Sequence, residues 1–547
     1  MGAGVGAGHR RRGTAAGLFG AVLLVAGTVL SSGGGAYASP SPSSGGQTTG
    51  QGEGEDRDGK HGEKGDKGNG DKGSNGDKGP GNNGNNGSNG KGKGRTGATE
   101  TPHPGGTGTA AAASPSAGRP APAAGAVLAS AETGPAAGLP TTQGLQQALA
   151  AALGDKNLGT VSLAVADAAD GRLLYGSGEN TPATPASTTK LATSIAALSL
   201  IPGDTRLTTR VVKSADPGGI TLVGGGDPTL TALPADQVQI AGLPADADTA
   251  PASLDALARQ TAAALKAAGT TAVKLDYDLS MYSGNPQHKY HDAANIALVT
   301  PLMVDEGKAD PKSREDAPAR VADPAGSAAE AFANLLKAQG ITVEGKAKAA
   351  AAPAAAGAPV LGRVDSPTVD RLVERMLTTS DNTLAEAIAR QAALAAHQPA
   401  SFEGAATAVT QELGRLGVPT AGVVLNDGSG LHQGNAIPPT VLVQLLALAA
   451  SDQHPALRPV LTGLPIAGFT GTLGKRFGSG SGAAEAAGLV RAKTGSLSGV
   501  NTLAGTVVDA EGRLLAFAVM TRTGAPVDTA RAAMDRIVAR LAACGCH

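Results

Sequence analysis

The sequence of 547 residues predicts an α/β protein: an antiparallel sheet flanked by helices, a smaller inserted α+β domain and a disordered N-terminal tether. Three observations support this fold class. In residues 141–547, apolar and polar residues alternate as in strands near both ends of the segment, and amphipathic helical patterns occupy the region between. About a hundred residues near the N-terminus lack the apolar side chains that a core requires. The two ends of the folding part are therefore expected to share one sheet.

Residues 1–38 have the pattern of an export signal. The basic run HRRR at 9–12 precedes an uncharged apolar stretch at 14–30, and AYA at 36–38 has the form of a cleavage site. We expect cleavage after Ala38. An uncleaved membrane anchor is the alternative, because the apolar stretch is near the shortest length that spans a bilayer. Both interpretations place the remaining chain outside the cytoplasm, in the extracellular space or the cell envelope.

Residues 39–140 contain mainly Gly, Ser, Asn, Pro, Ala and paired charges, including three GDKG repeats that start at Gly65, Gly70 and Gly76. This composition cannot bury a core, so we predict a disordered tether. The glycine spacing breaks after Gly68, which excludes a sustained collagen repeat.

A serine-containing helix is predicted early in the globular part. Residues 144–153 have a helical pattern, and 160–175 alternate around the turn Asp170-Gly171, which predicts a β-hairpin. Apolar residues then recur at helical spacing over 187–200, after the breaker Pro185, so Ser187 is expected at a helix N-terminus.

We place an inserted domain at residues 210–360. A hairpin pattern covers 206–222, and two units with a helix, a glycine and a short strand follow at 254–276 and 328–345. Gly269 and Gly340 are the predicted helix stops. Alanine-, proline- and glycine-rich runs such as 347–359 are typical of loops at the edge of such a domain.

The rest of the body, residues 141–209 and 361–547, is predicted to form a single domain. Its second part contains four helical patterns, at 369–377, 383–396, 405–416 and 439–450. Three strands at 488–495, 499–509 and 513–521 and a closing helix at 527–541 follow.

Charge and cysteine content exclude several classes of function. The net charge is −1, so nothing in the overall balance indicates a nucleic acid partner. Cys544 and Cys546 are the only cysteines, which excludes a disulfide framework and a Cys/His metal cluster. A disulfide within this pair, an intermolecular bond and free thiols all remain open, and a frayed tail is the expected setting.

Three short motifs occur in one order along the chain. They are Ser187-Thr188-Thr189-Lys190, Ser380-Asp381-Asn382 and Lys493-Thr494-Gly495. Each motif alone is weak evidence for a catalytic site. Ser88 and Lys91 repeat the first spacing inside the tether. Helix caps would explain the first two motifs structurally, and a strand end would explain the third. However, residues three apart share a helix face, so Lys190 can reach Ser187. Their joint occurrence in fitting local structure favours a functional interpretation.

These residue types suit nucleophilic catalysis at a carbonyl. A serine needs an adjacent base, and Lys190 can act as one if burial or a cation such as Lys493 lowers its pKa. The main-chain N–H groups of Ser187 and Ser496 are candidate oxyanion donors. Ser380 would relay a proton to the leaving amine, Asn382 would hold a substrate amide, and Lys493 and Thr494, followed by Gly495, would bind a carboxylate. No metal or organic cofactor is required.

The chain resembles peptidase family S13, the class C low-molecular-mass penicillin-binding proteins, over about residues 141–547. The resemblance rests on the three motifs and on LVGGGDPTL (222–230), SDNTLAEAIAR (380–390), DGSGL (427–431), LPIAGFTGTLGKR (464–476) and AKTGSLSGVNTLAG (492–505). It implies a penicillin-binding/β-lactamase-like transpeptidase fold. It also implies a serine D-Ala-D-Ala carboxypeptidase/endopeptidase that acts on peptidoglycan stem peptides through an acyl-enzyme on Ser187, with β-lactams as covalent inhibitors.

Two alternatives remain open, a serine β-lactamase and a sensor that binds β-lactams or muropeptides without turnover. Class A β-lactamases resemble this motif set but have a shorter separation than the 190 residues between Lys190 and Ser380. No Glu-x-x-Asn of the class A kind lies between Ser380 and Lys493, so slow deacylation is expected. After DGSGL the chain has His432-Gln433 where the family usually has Ser-Arg, and it has no tryptophan, so the preferred substrate side chain stays open.

Overall fold

The computed structural model describes residues 138–547, apart from Ala241 and Asp316. The predicted export signal or anchor (1–38) and almost all of the predicted tether (39–140) lie outside the described residues. Among the residues that are described, no helix combines the length and the apolar character needed to cross a membrane.

The predicted elements occur in the predicted order, and the structure adds strands at 239–240, 243–244, 348–349 and 360–368 and a short helix at 459–462. The helices are α1 (Thr142–Leu153), α2 (Thr189–Leu200), α3 (Leu254–Ala267), α4 (Pro324–Ala338), α5 (Val369–Thr379), α6 (Asn382–Ala395), α7 (Phe402–Arg415), α8 (Pro439–Ala450), α9 (Pro459–Thr462) and α10 (Val527–Ala542). The strands are β1 (Thr160–Asp167), β2 (Leu173–Ser177), β3 (Arg206–Lys213), β4 (Gly219–Val223), β5 (Gln239–Ile240), β6 (Leu243–Pro244), β7 (Ala272–Asp278), β8 (Thr342–Val343), β9 (Lys348–Ala349), β10 (Val360–Thr368), β11 (Val490–Leu497), β12 (Val500–Val508) and β13 (Leu514–Arg522).

The main sheet has five antiparallel strands in the order β11-β12-β13-β1-β2. Strand β1, from the start of the globular part, pairs with β13 near its end, so that Thr160 lies opposite Arg522 and Asp167 opposite Leu515. The prediction of an antiparallel sheet made from both ends of the chain is therefore confirmed. Strand β11 is an edge strand of this sheet, which leaves one side of its main chain free for other contacts.

Both faces of the main sheet are buried, and the two-residue period of its strands separates two cores. In β13, Ala516 and Ala518 contribute to a core shared with α2, α5, α6 and α8. Leu515 and Phe517 contribute to the opposite core, which is shared with α1 and α10. Because alanine is small, α8 can pack closely against β1 and β13 on the first face, and α2 packs against α8 in the same core.

A second sheet has the order β10-β3-β4-β7-β8, with β9 also paired to β7. Its β3 pairs antiparallel with β4 and β10, whereas β7 runs parallel to β4, β8 and β9. Helices α3 and α4 share a separate core with this sheet. Each helix is followed by a glycine at positive φ, Gly269 at 70° and Gly340 at 77°, as their positions as helix stops require. The strands of this sheet extend from Arg206 to Thr368, and the 210–360 boundaries of the insertion stay a prediction.

The C-terminal tail is tied to the start of the globular part. Cys544 and Cys546 form a disulfide, and the carbonyl of Cys546 accepts a hydrogen bond of 2.7 Å from the N–H of Thr141. Cys544 is buried in the same core as α1 and α10. The expectation of a frayed tail is wrong, because packing against α1 satisfies main-chain groups that a free tail would expose to water.

Candidate active site

The structure brings the three motifs into direct contact. Lys190 Nζ lies 3.0 Å from Ser187 Oγ and 2.7 Å from Asn382 Oδ1. Lys493 Nζ lies 2.8 Å from Ser380 Oγ. These contacts join residues up to 192 positions apart in the sequence, so the tertiary fold assembles a single site from α2, the α5–α6 junction and β11.

Ser187 lies in a single 3₁₀ turn, Ala186–Thr188, that leads directly into α2. The preceding Ala186 has φ 47°, a conformation that is uncommon for a residue with a side chain and is frequent at functional sites. Thr188 Oγ1 closes the turn with a 2.7 Å hydrogen bond to the carbonyl of Pro185. The serine therefore stands at the helix start, as the breaker Pro185 predicts, and its side chain is half-buried.

Lys190 is fully buried and has three oxygen neighbours. Besides Ser187 Oγ and Asn382 Oδ1, its Nζ donates to the main-chain carbonyl of Ser429 at 2.8 Å. Burial lowers the pKa of Lys190 to about 8, against the opposing effect of three nearby carboxylates. These carboxylates belong to Asp381, Asp427 and Glu386. The neutral form of this lysine is thus more accessible near neutral pH than that of a solvated lysine.

The α5–α6 junction presents Ser380 to the site. Ser380 caps the C-terminus of α5 with φ 61°, a left-handed conformation that turns the chain sharply. Asp381, and not Ser380, caps α6, because its side chain accepts a 2.6 Å hydrogen bond from the N–H of Leu384. Asn382 begins α6, and its Nδ2 donates to the carbonyl of Asn295 at 3.0 Å.

Lys493 is the second fully buried lysine of the site. Its Nζ donates to Ser380 Oγ and to the carbonyl of Thr494, both at 2.8 Å. Burial, and then the charge of Lys190, lower the pKa of Lys493 well below its usual value. Of the two predicted causes of a low pKa at Lys190, burial and the charge of Lys493, burial is the one that acts here.

Gly495 lets β11 approach the serine turn. A Cβ atom at this position would lie 2.2 Å from Thr502 Oγ1, 2.8 Å from the carbonyl oxygen of Pro185 and 3.0 Å from the Cβ of Ala186. No other residue type fits without displacing the turn that carries Ser187.

The outward side of β11 exposes the main-chain groups of the third motif. The N–H of Ala492 points away from β12, since it donates to the carbonyl of Pro465 at 2.9 Å. Orientation repeats every second residue in an antiparallel strand, so the N–H groups of Thr494 and Ser496 point the same way. Thr494 Oγ1 also lies 2.8 Å from Thr472 Oγ1, a hydroxyl in the quoted segment 464–476 that the sequence analysis did not single out.

Sequence reasoning also missed a buried cluster behind Lys190. His291, Glu386 and Asp427 each place a potential ligand atom within 4.8 Å of the others. Both carboxylates already accept main-chain N–H groups, Glu386 from Ser429 at 2.8 Å and Asp427 from Gly430 at 2.9 Å. The available signal was the position of Glu386, four residues after Asn382 and therefore on the same face of α6.

A sheet built from both ends of the globular part, a serine in contact with a buried lysine and a second lysine–serine contact define an active-site-serine enzyme of the penicillin-binding class. The family model described as D-Ala-D-Ala carboxypeptidase 3 (S13) matches residues 145–319 and 311–542. The chain belongs to this family. It is a serine-type D-Ala-D-Ala carboxypeptidase, and the resemblance found from its sequence is confirmed.

Two curated relatives extend over most of their own length. "Carboxypeptidase DacB" of Mycolicibacterium smegmatis is 38% identical over 417 residues, which cover 74% of this chain and 85% of that protein. "Carboxypeptidase Rv3627c" of Mycobacterium tuberculosis is 35% identical over 438 residues, covering 78% and 89%. Among solved structures, penicillin binding protein 4 (dacB) from Haemophilus influenzae matches with a TM-score of 0.56 and 20% identity. That match covers 73% of this chain and 98% of the solved chain, and it shows a common fold.

Proposed function

We propose that Ser187 attacks the carbonyl carbon of the last peptide bond in peptidoglycan stem peptides that end in D-Ala-D-Ala. The observation that carries this proposal is the buried Lys190, whose Nζ lies 3.0 Å from Ser187 Oγ. The new bond joins Ser187 Oγ to the substrate carbonyl carbon, the C–N bond breaks, and terminal D-alanine leaves. Water then hydrolyses the acyl-enzyme and regenerates the serine.

Lys190 acts as the general base in this proposal. Only its neutral form can accept the serine proton, and a pKa of about 8 leaves roughly a tenth of it neutral at pH 7. An unperturbed lysine would be neutral in only a fraction of about 10⁻³ to 10⁻⁴ at that pH. Burial of Lys190 thus raises the amount of competent base by more than about a hundredfold.

Negative charge develops on the substrate's carbonyl oxygen as Ser187 attacks, and its stabilisation requires hydrogen-bond donors that are already in place. We assign this role to the N–H groups of Ser187 and Ser496, one at a helix start and one on the outward side of β11. Ser380 donates its hydroxyl proton to the leaving amine and takes a replacement from the charged Lys493 Nζ, which lies 2.8 Å from its Oγ. Lys190 keeps the proton of Ser187 until the acyl-enzyme is hydrolysed, when it returns this proton to Ser187 and the attacking water gives its own proton to Lys493.

The substrate's terminal carboxylate is assigned to Lys493 and Thr494. In the empty site burial and Lys190 disfavour the charged form of Lys493, and a bound carboxylate would restore it. Gly495 keeps β11, and with it this carboxylate site, close to the serine turn. Asn382 can offer its Nδ2 to a substrate amide in exchange for Asn295. A β-lactam carries the same carbonyl and carboxylate pair, so it acylates Ser187 and inhibits the enzyme.

Stem peptides of the cell wall place the reaction in the cell envelope. Export through residues 1–38, by a cleaved signal or a retained anchor, is part of the proposal and rests on the sequence pattern. The partners are therefore stem peptides and β-lactams, without nucleic acid, and none of the steps uses a metal or organic cofactor.

Intact-mass analysis after incubation with penicillin tests the assignment. One penicillin adduct is expected on the wild type, none on Ser187→Ala, and an unchanged adduct on Ser88→Ala, which removes the same motif spacing from the tether. Release of D-alanine from a pentapeptide separates a peptidase from a sensor, and steady nitrocefin turnover would indicate a β-lactamase. A labelled and folded Ser187→Ala variant would contradict the assignment.

A further inference from the structure

The loop 427–432, which follows α7 in the chain, lies against Lys190 and is held by two buried carboxylates. Glu386 on α6 is one of them. Its Oε1 accepts the N–H groups of Gly428 at 3.0 Å and Ser429 at 2.8 Å. The Glu386 side chain is fully buried, and its nearest cation is Arg390, at 4.0 Å. Two adjacent main-chain donors are thus tied to a single helix.

Asp427 holds the second half of the same loop. Its Oδ1 accepts the N–H of Gly430 at 2.9 Å, and its Oδ2 accepts the N–H of His432 at 2.7 Å. Two side chains complete its environment, Asn435 Nδ2 at 2.6 Å and His291 Nε2 at 2.8 Å. Each carboxylate oxygen of Asp427 therefore accepts two hydrogen bonds, and the loop cannot shift without breaking several of them.

The carbonyl groups of the clamped loop face α2. The carbonyl of Gly428 accepts a 2.7 Å hydrogen bond from Thr193 Oγ1, and that of Ser429 accepts a 2.8 Å hydrogen bond from Lys190 Nζ. Lys190 and Thr193 are three residues apart, so they lie on the same face of α2. The loop is thereby aligned with the helix face that carries the proposed base.

We propose that Glu386 and Asp427 are positioning residues, which fix the 427–432 loop so that the Ser429 carbonyl holds Lys190 Nζ against Ser187. This inference rests on the function proposed above. An ammonium or amine group on a four-carbon chain has many rotamers, and three fixed oxygen acceptors select one of them. Asn382 and Ser187 supply two of these acceptors, and the loop supplies the third.

The cluster also sets the electrostatic environment of Lys190. Asp427 has a pKa below its usual value because hydrogen bonds from His291 and Asn435 outweigh the effect of burial, so it is ionised near neutral pH. Burial and Asp427 raise the pKa of Glu386. The other charged groups that face Lys190 are Asp381 at the start of α6 and Lys493 on β11.

The first test distinguishes a positioning role of Glu386 from a purely structural one. Glu386→Ala removes the acceptor for two main-chain N–H groups and is expected to lower the second-order rate of penicillin acylation by about 10²-fold or more, as small misplacements of catalytic groups do. Glu386→Gln keeps one carbonyl oxygen and is expected to stay within about tenfold of wild type. Glu412→Gln is the matched control, since this buried glutamate of α7 pairs with Arg415 and accepts a hydrogen bond from Ser199, at the far end of α2 from Lys190. It should acylate at the wild-type rate.

The second test uses the pH profile of acylation, which a purely structural role would not move. Asp427→Asn removes a negative charge that raises the pKa of Lys190, so the rising limb of the profile should move to lower pH. A limb that stays in place, or a folded Glu386→Ala variant at the wild-type rate, would overturn the inference while leaving the proposed function intact. Absence of acylation in the wild type would instead overturn the proposed function. Loss of acylation after incubation with a chelator would show a metal site, and it would also overturn the proposed positioning role of Glu386 and Asp427.

Discussion

Gly495→Ala is the smallest change that tests how the strand and the serine turn fit together. The added Cβ would lie 2.8 Å from the carbonyl oxygen of Pro185, about 0.6 Å closer than the 3.4 Å at which ordinary contact begins. It would also lie 2.2 Å from Thr502 Oγ1, which is itself fixed by a 2.8 Å hydrogen bond to the same carbonyl. The backbone at Gly495 does not need positive φ, so lack of space is the only obstacle.

The turn or β11 must therefore move by roughly 0.5–1 Å. Overpacking of this kind costs about 1–3 kcal/mol of unfolding free energy, and a displacement near 1 Å at catalytic groups can cost about 10²-fold in rate. We expect Gly495→Ala to lose about that factor in penicillin acylation of Ser187, measured by stopped-flow fluorescence or rapid-quench mass analysis. Thermal unfolding should show a smaller, partial loss of stability.

Gly414→Ala is the matched control. Gly414 lies in α7 with nothing within 4 Å of its added Cβ, so alanine should stabilise the helix by about 0.5–1 kcal/mol and leave acylation unchanged. Combining Gly495→Ala with Thr502→Ala removes the nearest clash and should recover part of the rate. A Gly495→Ala variant that acylates at the wild-type rate would contradict this prediction, because β11 would then not constrain the serine turn.

Three further predictions concern the lysines and the tether. The rate of Ser187 acylation should rise with pH and level off above about pH 8, because only neutral Lys190 accepts a proton. An acylation rate that falls between pH 6 and 8 would contradict this. Lys190→Ala should lower acylation by ~10²–10⁴-fold for penicillin and peptide alike, whereas Lys493→Arg should keep part of the carboxylate binding, seen in KM, and lose turnover. Removal of residues 39–137 should leave the melting temperature and activity nearly unchanged, since their composition supports no core, and a large drop in calorimetry would show otherwise.

Local pattern was enough to predict most elements of the described fold. The alternation at 160–175 and 513–521 corresponds to β1, β2 and β13, and the helical spacing at 187–200 corresponds to α2 with Ser187 at its start. These predictions succeed because side-chain periodicity and breakers such as Pro185 act over a few residues. The same reasoning failed for the tail, where Cys544 and Cys546 pack through a contact with Thr141, about 400 residues away.

Residue patterns are enough to predict the order of most elements, the placement of Ser187 and Lys190 on one helix face and, through the quoted segments, membership of the family. The full burial of Lys190 and its third acceptor, the carbonyl of Ser429, follow from the tertiary fold alone. Every residue has a main-chain carbonyl, so the sequence does not indicate which carbonyl will accept a hydrogen bond from Lys190. Burial and its effect on the pKa of a lysine arise from packing between segments far apart in the chain, which no local pattern encodes.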